Sequence, residues 1–392
     1  MPAAEPVAPT RGAARRHLTV RTTEVPDVGD LLAVLPAPSA TETFSWLRRG
    51  DGIVGWGTAL RMSTGGRILD ADAAWSRAVT RMDVVDEVRE PGTGAVAFGT
   101  FPFSPTSAGE GVLVVPEVVV GRREGRSWVT TATWPGTAPR PVADLLRGAA
   151  PVTAPGRVRF TDGARSVAGW RQSVGEVVAR IRAGEARKVV MARDVVGRSE
   201  NALDVRHLLG NLAREYPSCW TFSVDRMVGA TPELLLRREK GLVACRVLAG
   251  TIRRTGDDAD DLRTAATLAR SSKDLGEHEL AVASVVRALR PYCSSMNVPD
   301  APFVLELPNV MHLASDVTGS VAPPSGHPST WQATAGPGGP SSLALAAALH
   351  PTAAVCGTPT AVAARILAEA EQMDRSRYAG PVGWLGSDGD GE

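Results

Sequence analysis

The sequence predicts a mixed α/β protein, and three observations support this. Short apolar runs separated by Gly and Pro fill residues 18 to about 160. Helical periodicity, with apolar residues recurring every three to four positions, sets in after Ser166. From there helical stretches and short strands follow one another to the end of the chain. At 392 residues, with 43% hydrophobic and 22% charged side chains, the chain can bury a large core as one big domain or as two.

Residues 1–17 (MPAAEPVAPTRGAARRH) lack the apolar stretch of a secretory signal and are expected to form a disordered lead. The runs at 52–57, 95–99, 112–115 and 128–131 predict a mainly antiparallel sheet lobe over 18–165. The Pro- and Ala-rich stretch 135–155 marks a seam. Val174, Val177, Val178 and Ile181 place a helix over 167–183, and a strand follows at 187–193. A second helix is expected at 202–216, then two strands around a turn at 238–241. A long helix over 272–289 stops before Pro291. Residues 319–342 (GSVAPPSGHPSTWQATAGPGGPSS) read as a surface insertion in a core spanning 166–392. Thr358-Pro359 has the residues to open a last helix, as an N-cap followed by Pro at the first helical position. Residues 378–385 read as a strand, and Gly386-Ser387-Asp388-Gly389-Asp390-Gly391 as a hairpin turn.

Composition excludes several function classes. A net charge of +1 does not suggest a nucleic-acid or membrane surface. No apolar run approaches the roughly 18 residues of a spanning helix. Cys219, Cys245, Cys293 and Cys356 are far apart, which fits reduced thiols and a cytoplasmic setting. The six histidines show no metal-ligand spacing. Only three of the 43 basic residues are lysines: Lys188, Lys240 and Lys273. Arg cannot be deprotonated in proteins, whereas a lysine can act as a base, so a surviving lysine is a candidate for work that needs an amine.

Four stretches could carry chemistry. In GATPELLL, Glu233 stands beside three leucines, where desolvation would raise its pKa and make it a proton donor near neutrality. An outward-facing strand residue is the plain alternative. In SSKDLGEHEL, Lys273 and Glu277 are i,i+4 neighbours on a helix, and small residues (Ala281, Ser284, Ala288) continue the Glu277 stripe. Glu277 there could hold Mg²⁺ or simply form a surface ion pair. LHPTAAVCGTP runs a turn of small residues into a helix N-terminus, which is an anion site or an ordinary cap. In LAGT, Gly250 would let a ligand approach the backbone.

Together these stretches resemble the chorismate-utilising enzymes, most closely the isochorismate synthases. The resemblance rests on KVVMAR with Lys188, GATPELLL with Glu233, LAGT with Gly250 and Thr251, SSKDLGEHEL with Glu277, HLAS with His312, LHPTAAVCGTP with Ala354, and RYAGPVGW, in that order. It is strong over 166–392 and loose before, at GDGIVGWG and AVAFGTFPFSP. It implies an α/β (α+β) fold of two stacked, antiparallel-rich sheets flanked by helices, with the active site in a cleft. It implies Mg²⁺-dependent conversion of chorismate to isochorismate by a monomeric chain, with no nucleic-acid or membrane partner. Lys188 matches the base that activates water for attack at C2, and Glu233 the acid that protonates the departing C4 hydroxyl. Glu277 matches a Mg²⁺ ligand. Gly250, Thr251 and Ala354 match substrate contacts, and His312 lies in a family motif. The chemistry is coherent, because exchanging one hydroxyl for another across an allylic system needs a base on one side and an acid on the other.

Salicylate synthases share the Lys and Glu, so that activity and an anthranilate synthase-like one stay open. Aminodeoxychorismate synthases typically carry a nucleophilic lysine where this chain has Ala249. The pathway served, whether menaquinone, siderophore or salicylate, stays open too. In the family the hairpin after GDGE leads into a strand with a carboxylate-binding arginine. A last helix then supplies a second Mg²⁺-binding glutamate. The sequence ends at Glu392, so the expectation is a member with one metal carboxylate instead of two, poor Mg²⁺ binding and little or no turnover, or a natural protein that continues further; a non-catalytic chorismate-binding or interaction protein is the alternative of another class.

Overall fold

A computed structural model describes residues 17–37, 42–138, 140–146, 150–322 and 339–392. Apart from His17, the expected disordered lead lies outside the described residues, as do residues 323–338 of the expected insertion. The insertion's described ends are regular structure: the strand Val310–Val321 runs into it and the helix Ser342–Leu349 leads out. The seam holds a short helix, Val142–Leu145.

An eight-stranded sheet forms one layer. Its spatial order is Met227–Thr231, Trp220–Val224, Thr43–Arg48, Asp51–Trp56, Val118–Arg123, Arg126–Thr133, Leu18–Val25, Met82–Asp86. Every pair is antiparallel except the last. Strands from both sides of residue 165 therefore share it. A four-stranded sheet (Val382–Gly386, Val96–Thr100, Val112–Val115, Leu60–Ser63) packs on its inner face. A five-stranded sheet carries Leu234–Glu239, Leu242–Arg253, Val310–Val321 and Cys293–Asn297, with Phe303–Glu306 also paired to Val310–Val321.

The period-two alternation of strands explains the layers. Val96, Phe98, Val112 and Val114 meet Phe44, Trp46, Trp128 and Phe222 of the large sheet between the layers. Their neighbours Ala95, Ala97, Leu113 and Val115 face the opposite way, onto Ile68, Ala71 and Trp75 of the helix Ile68–Val79. Burial on both faces is why these strands read as unbroken apolar runs. Leu47, Val54 and Val120 cover the outer face of the large sheet with Leu209 from the helix Val205–Glu215. Each fully buried large side chain contributes roughly 1.5–3 kcal/mol.

The last residues of the chain stitch the two smaller sheets together. Gly391 exchanges both backbone hydrogen bonds with Arg238, and Glu392 does the same with Trp384. The Glu392 carboxylate accepts the indole N–H of Trp46 (3.0 Å) and Trp220 (2.6 Å) from the large sheet, and the Arg237 guanidinium (2.6 Å) from the five-stranded one. The expected hairpin turn is present, closed by Gly386 N–H donating to Asp390 O.

Candidate functional site

Lys188 lies on a two-residue strand, Lys188–Val189, which belongs to none of the larger sheets. It pairs only with Gly357–Thr358, in the register Lys188 to Thr358. Hydrogen bonds from Arg187 N–H to Thr358 O and from Val190 N–H to Cys356 O flank it. Gly357 makes this approach possible. A Cβ there would stand 2.2 Å from the Lys188 carbonyl oxygen, and its φ of +145° is one that L side chains rarely adopt. Val189 and Met191 pack between the helices Val167–Arg182 and Thr360–Ala370. Alternation then turns Lys188 the other way.

The Lys188 amine meets Glu277, with Nζ 3.0 Å from Oε1. Glu277 rides on the helix Ser272–Leu289, whose N-terminus Ser271 caps by accepting from Asp274 N–H. Buried His278 seats this helix: its Nδ1 donates to Ala249 O (3.2 Å) and its Nε2 meets Ser315 Oγ (2.8 Å). Burial lowers the His278 pKa, disfavouring the charged ring. Gly250 sits at a bulge with φ +80°, where a Cβ would approach Asp274 Cβ to 3.1 Å, so glycine lets the helix start close to the sheet. Lys273 is not the partner that helical spacing predicts. It lies in solvent near Asp274, and the cation facing Glu277 comes from a distant strand.

Glu233 precedes the strand Leu234–Glu239, its N–H donating to Thr231 Oγ1. Desolvation raises its carboxyl to a pKa of about 7; the Lys188 charge and a hydrogen bond with the Leu248 backbone pull the other way without prevailing. A carboxyl that is half protonated at neutrality therefore lies within the field of the Lys188 amine. A mostly apolar cavity of about 450 Å³ opens on Glu233, lined also by Thr231, His350, Thr352 and Val355; Lys188 and Glu277 are not part of its lining.

The remaining expected residues adjoin this group. Thr251 and His312 face each other across paired strands and share a hydrogen bond (Oγ1 to Nδ1, 2.9 Å). His312 also bonds the Gly250 backbone, and burial lowers its pKa. Ala354 lies half-buried in the turn that leads to Gly357. That turn enters its helix differently from expectation: Thr358 is in the strand, Pro359 is the N-cap, and the helix starts at Thr360. Among the described residues, no group of three or more His, Cys, Asp or Glu side chains gathers as a metal cluster. Glu277, one-third exposed, is the carboxylate at hand. One carboxylate completed by water and substrate oxygens is a donor set that Mg²⁺ accepts. His278 and a buried Glu371–Arg375 pair were not foreseen. His278 stands beside Glu277 in sequence, and an i,i+4 pair in EQMDR was the available sign of the other.

The layered sheets thus form an α/β protein in which a lysine amine and a carboxyl of near-neutral pKa lie within each other's field. The family model "Chorismate binding enzyme" matches residues 7–392, and the chain belongs to that family. Over 234 residues it is 36% identical to isochorismate synthase DhbC of Bacillus subtilis, a match covering 57% of this chain and 55% of that one. It thus spans little more than half the length of that relative. It is 33% identical over 311 residues to a putative isochorismate synthase MenF of Mycobacterium tuberculosis, covering 76% of this chain and 74% of the relative. Among solved structures it resembles a putative 2,3-dihydroxybenzoate-specific isochorismate synthase, DhbC, from Bacillus anthracis. There the TM-score is 0.70 at 27% identity, over 93% of this chain and 86% of the other. The fold is shared with MenF of Escherichia coli, with a TM-score of 0.72 at 20% identity over 97% and 86% of the two chains.

Proposed function

We propose that the protein is an isochorismate synthase, converting chorismate to isochorismate. The observation that carries this reading is the Glu233 carboxyl, with a pKa of about 7, lying within the field of the Lys188 amine. In its neutral amine form Lys188 takes a proton from water as the oxygen adds at C2, and after turnover Lys188 returns a proton to solvent while Glu233 regains one. The ring double bond shifts, and the C4 hydroxyl leaves with the proton of Glu233. One water enters and one leaves, so substrate and product are isomers. Glu233 is suited to this step because near neutrality it can still hold a proton. Glu277 is the carboxylate that would hold Mg²⁺, and the bound ion would fix and offset the substrate's carboxylate charge. The backbone at Gly250, Thr251 and Ala354 is assigned to substrate contacts, with His312 beside them. No helix among the described residues is long and apolar enough to cross a membrane; we assign the protein to the cytoplasm because its four widely spaced cysteines suit a reducing compartment.

The test is chromatography of the products formed from chorismate with Mg²⁺. Isochorismate alone is expected. Salicylate with pyruvate would replace the reading by a lyase. A second reading, chorismate binding without turnover, draws on Glu277 being the carboxylate that meets Lys188 with no ligand cluster among the described residues. Chorismate bound and recovered unchanged would favour it.

A further inference from the structure

The Lys188–Val189 strand is held by one two-residue partner strand, which is little for an element that must aim a base. A buried ion pair behind it supplies what the strands do not. Glu371 and Arg375, each with a side chain 3% exposed, form a bidentate pair (Nε to Oε2 2.8 Å, Nη2 to Oε1 2.5 Å). Each has capacity to spare, and the neighbouring backbone uses it. Arg375 donates to Val190 O (2.6 Å) and Val355 O (3.0 Å), and Glu371 accepts from Ala192 N–H (2.7 Å). The guanidinium lies over the Phe103 ring, 4.3 Å from its centre. One pair thus ties the segment just after Lys188 to the residue just after Ala354.

We propose that Glu371 and Arg375 are positioning residues that hold Lys188 and the Ala354 turn in the geometry the reaction needs. The proposal rests on the reading of Lys188 as the base. An apolar pair could fill the same space, but it could not satisfy three backbone groups from two segments. A planar fork is required, because a lysine ammonium cannot reproduce the bidentate bond and both carbonyl contacts together.

The experiment uses Arg375→Lys, Glu371→Gln and the double variant Glu371→Leu/Arg375→Met. The double variant leaves no buried charge unpaired but strips three backbone groups of their partners, so Arg375→Lys and Glu371→Gln are the milder probes of the clamp. Two quantities are measured: steady-state kinetics with chorismate, and the NMR signals of ¹³Cε-labelled lysine. The chain has only three lysines, so the Lys188 signal is assigned by its loss in Lys188→Gln. We expect kcat to fall by about 10- to 100-fold, with a smaller rise in KM from the loosened Ala354 turn, as displacements of about 1 Å can cost this much. The Lys188 signal should move while those of Lys240 and Lys273 stay. A folded variant with wild-type kcat and an unmoved Lys188 signal would overturn the proposal, even if its melting temperature had dropped. So would a loss of kcat with the Lys188 signal unmoved. If the wild-type protein forms no isochorismate, the functional reading fails, while the lysine signal still decides whether the pair positions Lys188.

Discussion

At the scale of single residues, the site is an arrangement of one amine and two carboxyls. Lys188→Gln is expected to lower turnover by at least about 100-fold, within the usual contribution of a general base, while chorismate binding, followed by calorimetry, persists. Glu233 makes a second, independent prediction through stability. Its carboxyl titrates near 4.5 when free and at about 7 in the fold. The folded state therefore holds the proton more tightly. Between those values unfolding releases it, and raising the pH favours unfolding. At about 1.4 kcal/mol per unit the ionised group costs roughly 3 kcal/mol by pH 8. Glu233→Gln should thus melt higher than wild type at pH 8 and lose this advantage as the pH falls to 4.5. An advantage independent of pH would show that the carboxyl is not desolvated. The scarcity of lysine marked Lys188, Lys240 and Lys273 alike, and the leucine neighbours of Glu233 also allowed a plain strand residue, so the two were singled out by the family resemblance. The partner of Glu277 was not legible. Helical spacing offered Lys273, but tertiary folding brought Lys188 from 89 positions away in sequence.

At the scale of elements, function depends on short pieces rather than long ones. The strand carrying Lys188 was expected over 187–193 and is two residues long, because the backbone after it bonds to Cys356, Arg375 and Glu371 instead of a sheet. Local patterns do not reveal such side-chain anchors. The helices Ile68–Val79 and Asp258–Arg270 were missed as well, while the helix Ser272–Leu289 was foreseen to the residue because its caps and periodicity agree. Gly357→Ala tests the close approach of the two short strands. The new Cβ would press on the Lys188 carbonyl, so a destabilisation on the order of 1–3 kcal/mol and a sharp loss of turnover are expected. Gly210→Ala is the contrast: it lies in a helix with open space around it and should be neutral or stabilising by up to about 1 kcal/mol. Thermal denaturation of both variants checks the pair.

At the scale of the whole molecule, two layers of sheet are joined by side chains as well as by the apolar core. Glu392 is the clearest joint, since three donors from two sheets converge on its carboxylate. Glu392→Ala leaves two indole N–H groups and a guanidinium without that acceptor, and about 2–4 kcal/mol of stability should be lost. Altered tryptophan fluorescence should accompany the loss. The layered α/β class could be read from alternation and turns, but the sharing of the large sheet by strands from both sides of residue 165 could not, because pairing across such separations has no local signature. On the proposed reading, this fold sets Lys188 and Glu233 to exchange hydroxyl groups on chorismate. The most direct measurement is product analysis of chorismate incubated with Mg²⁺ and either wild-type protein or Lys188→Gln. The account predicts isochorismate from the wild type and next to none from the variant. Equal isochorismate from both, or none from the wild type, would contradict it.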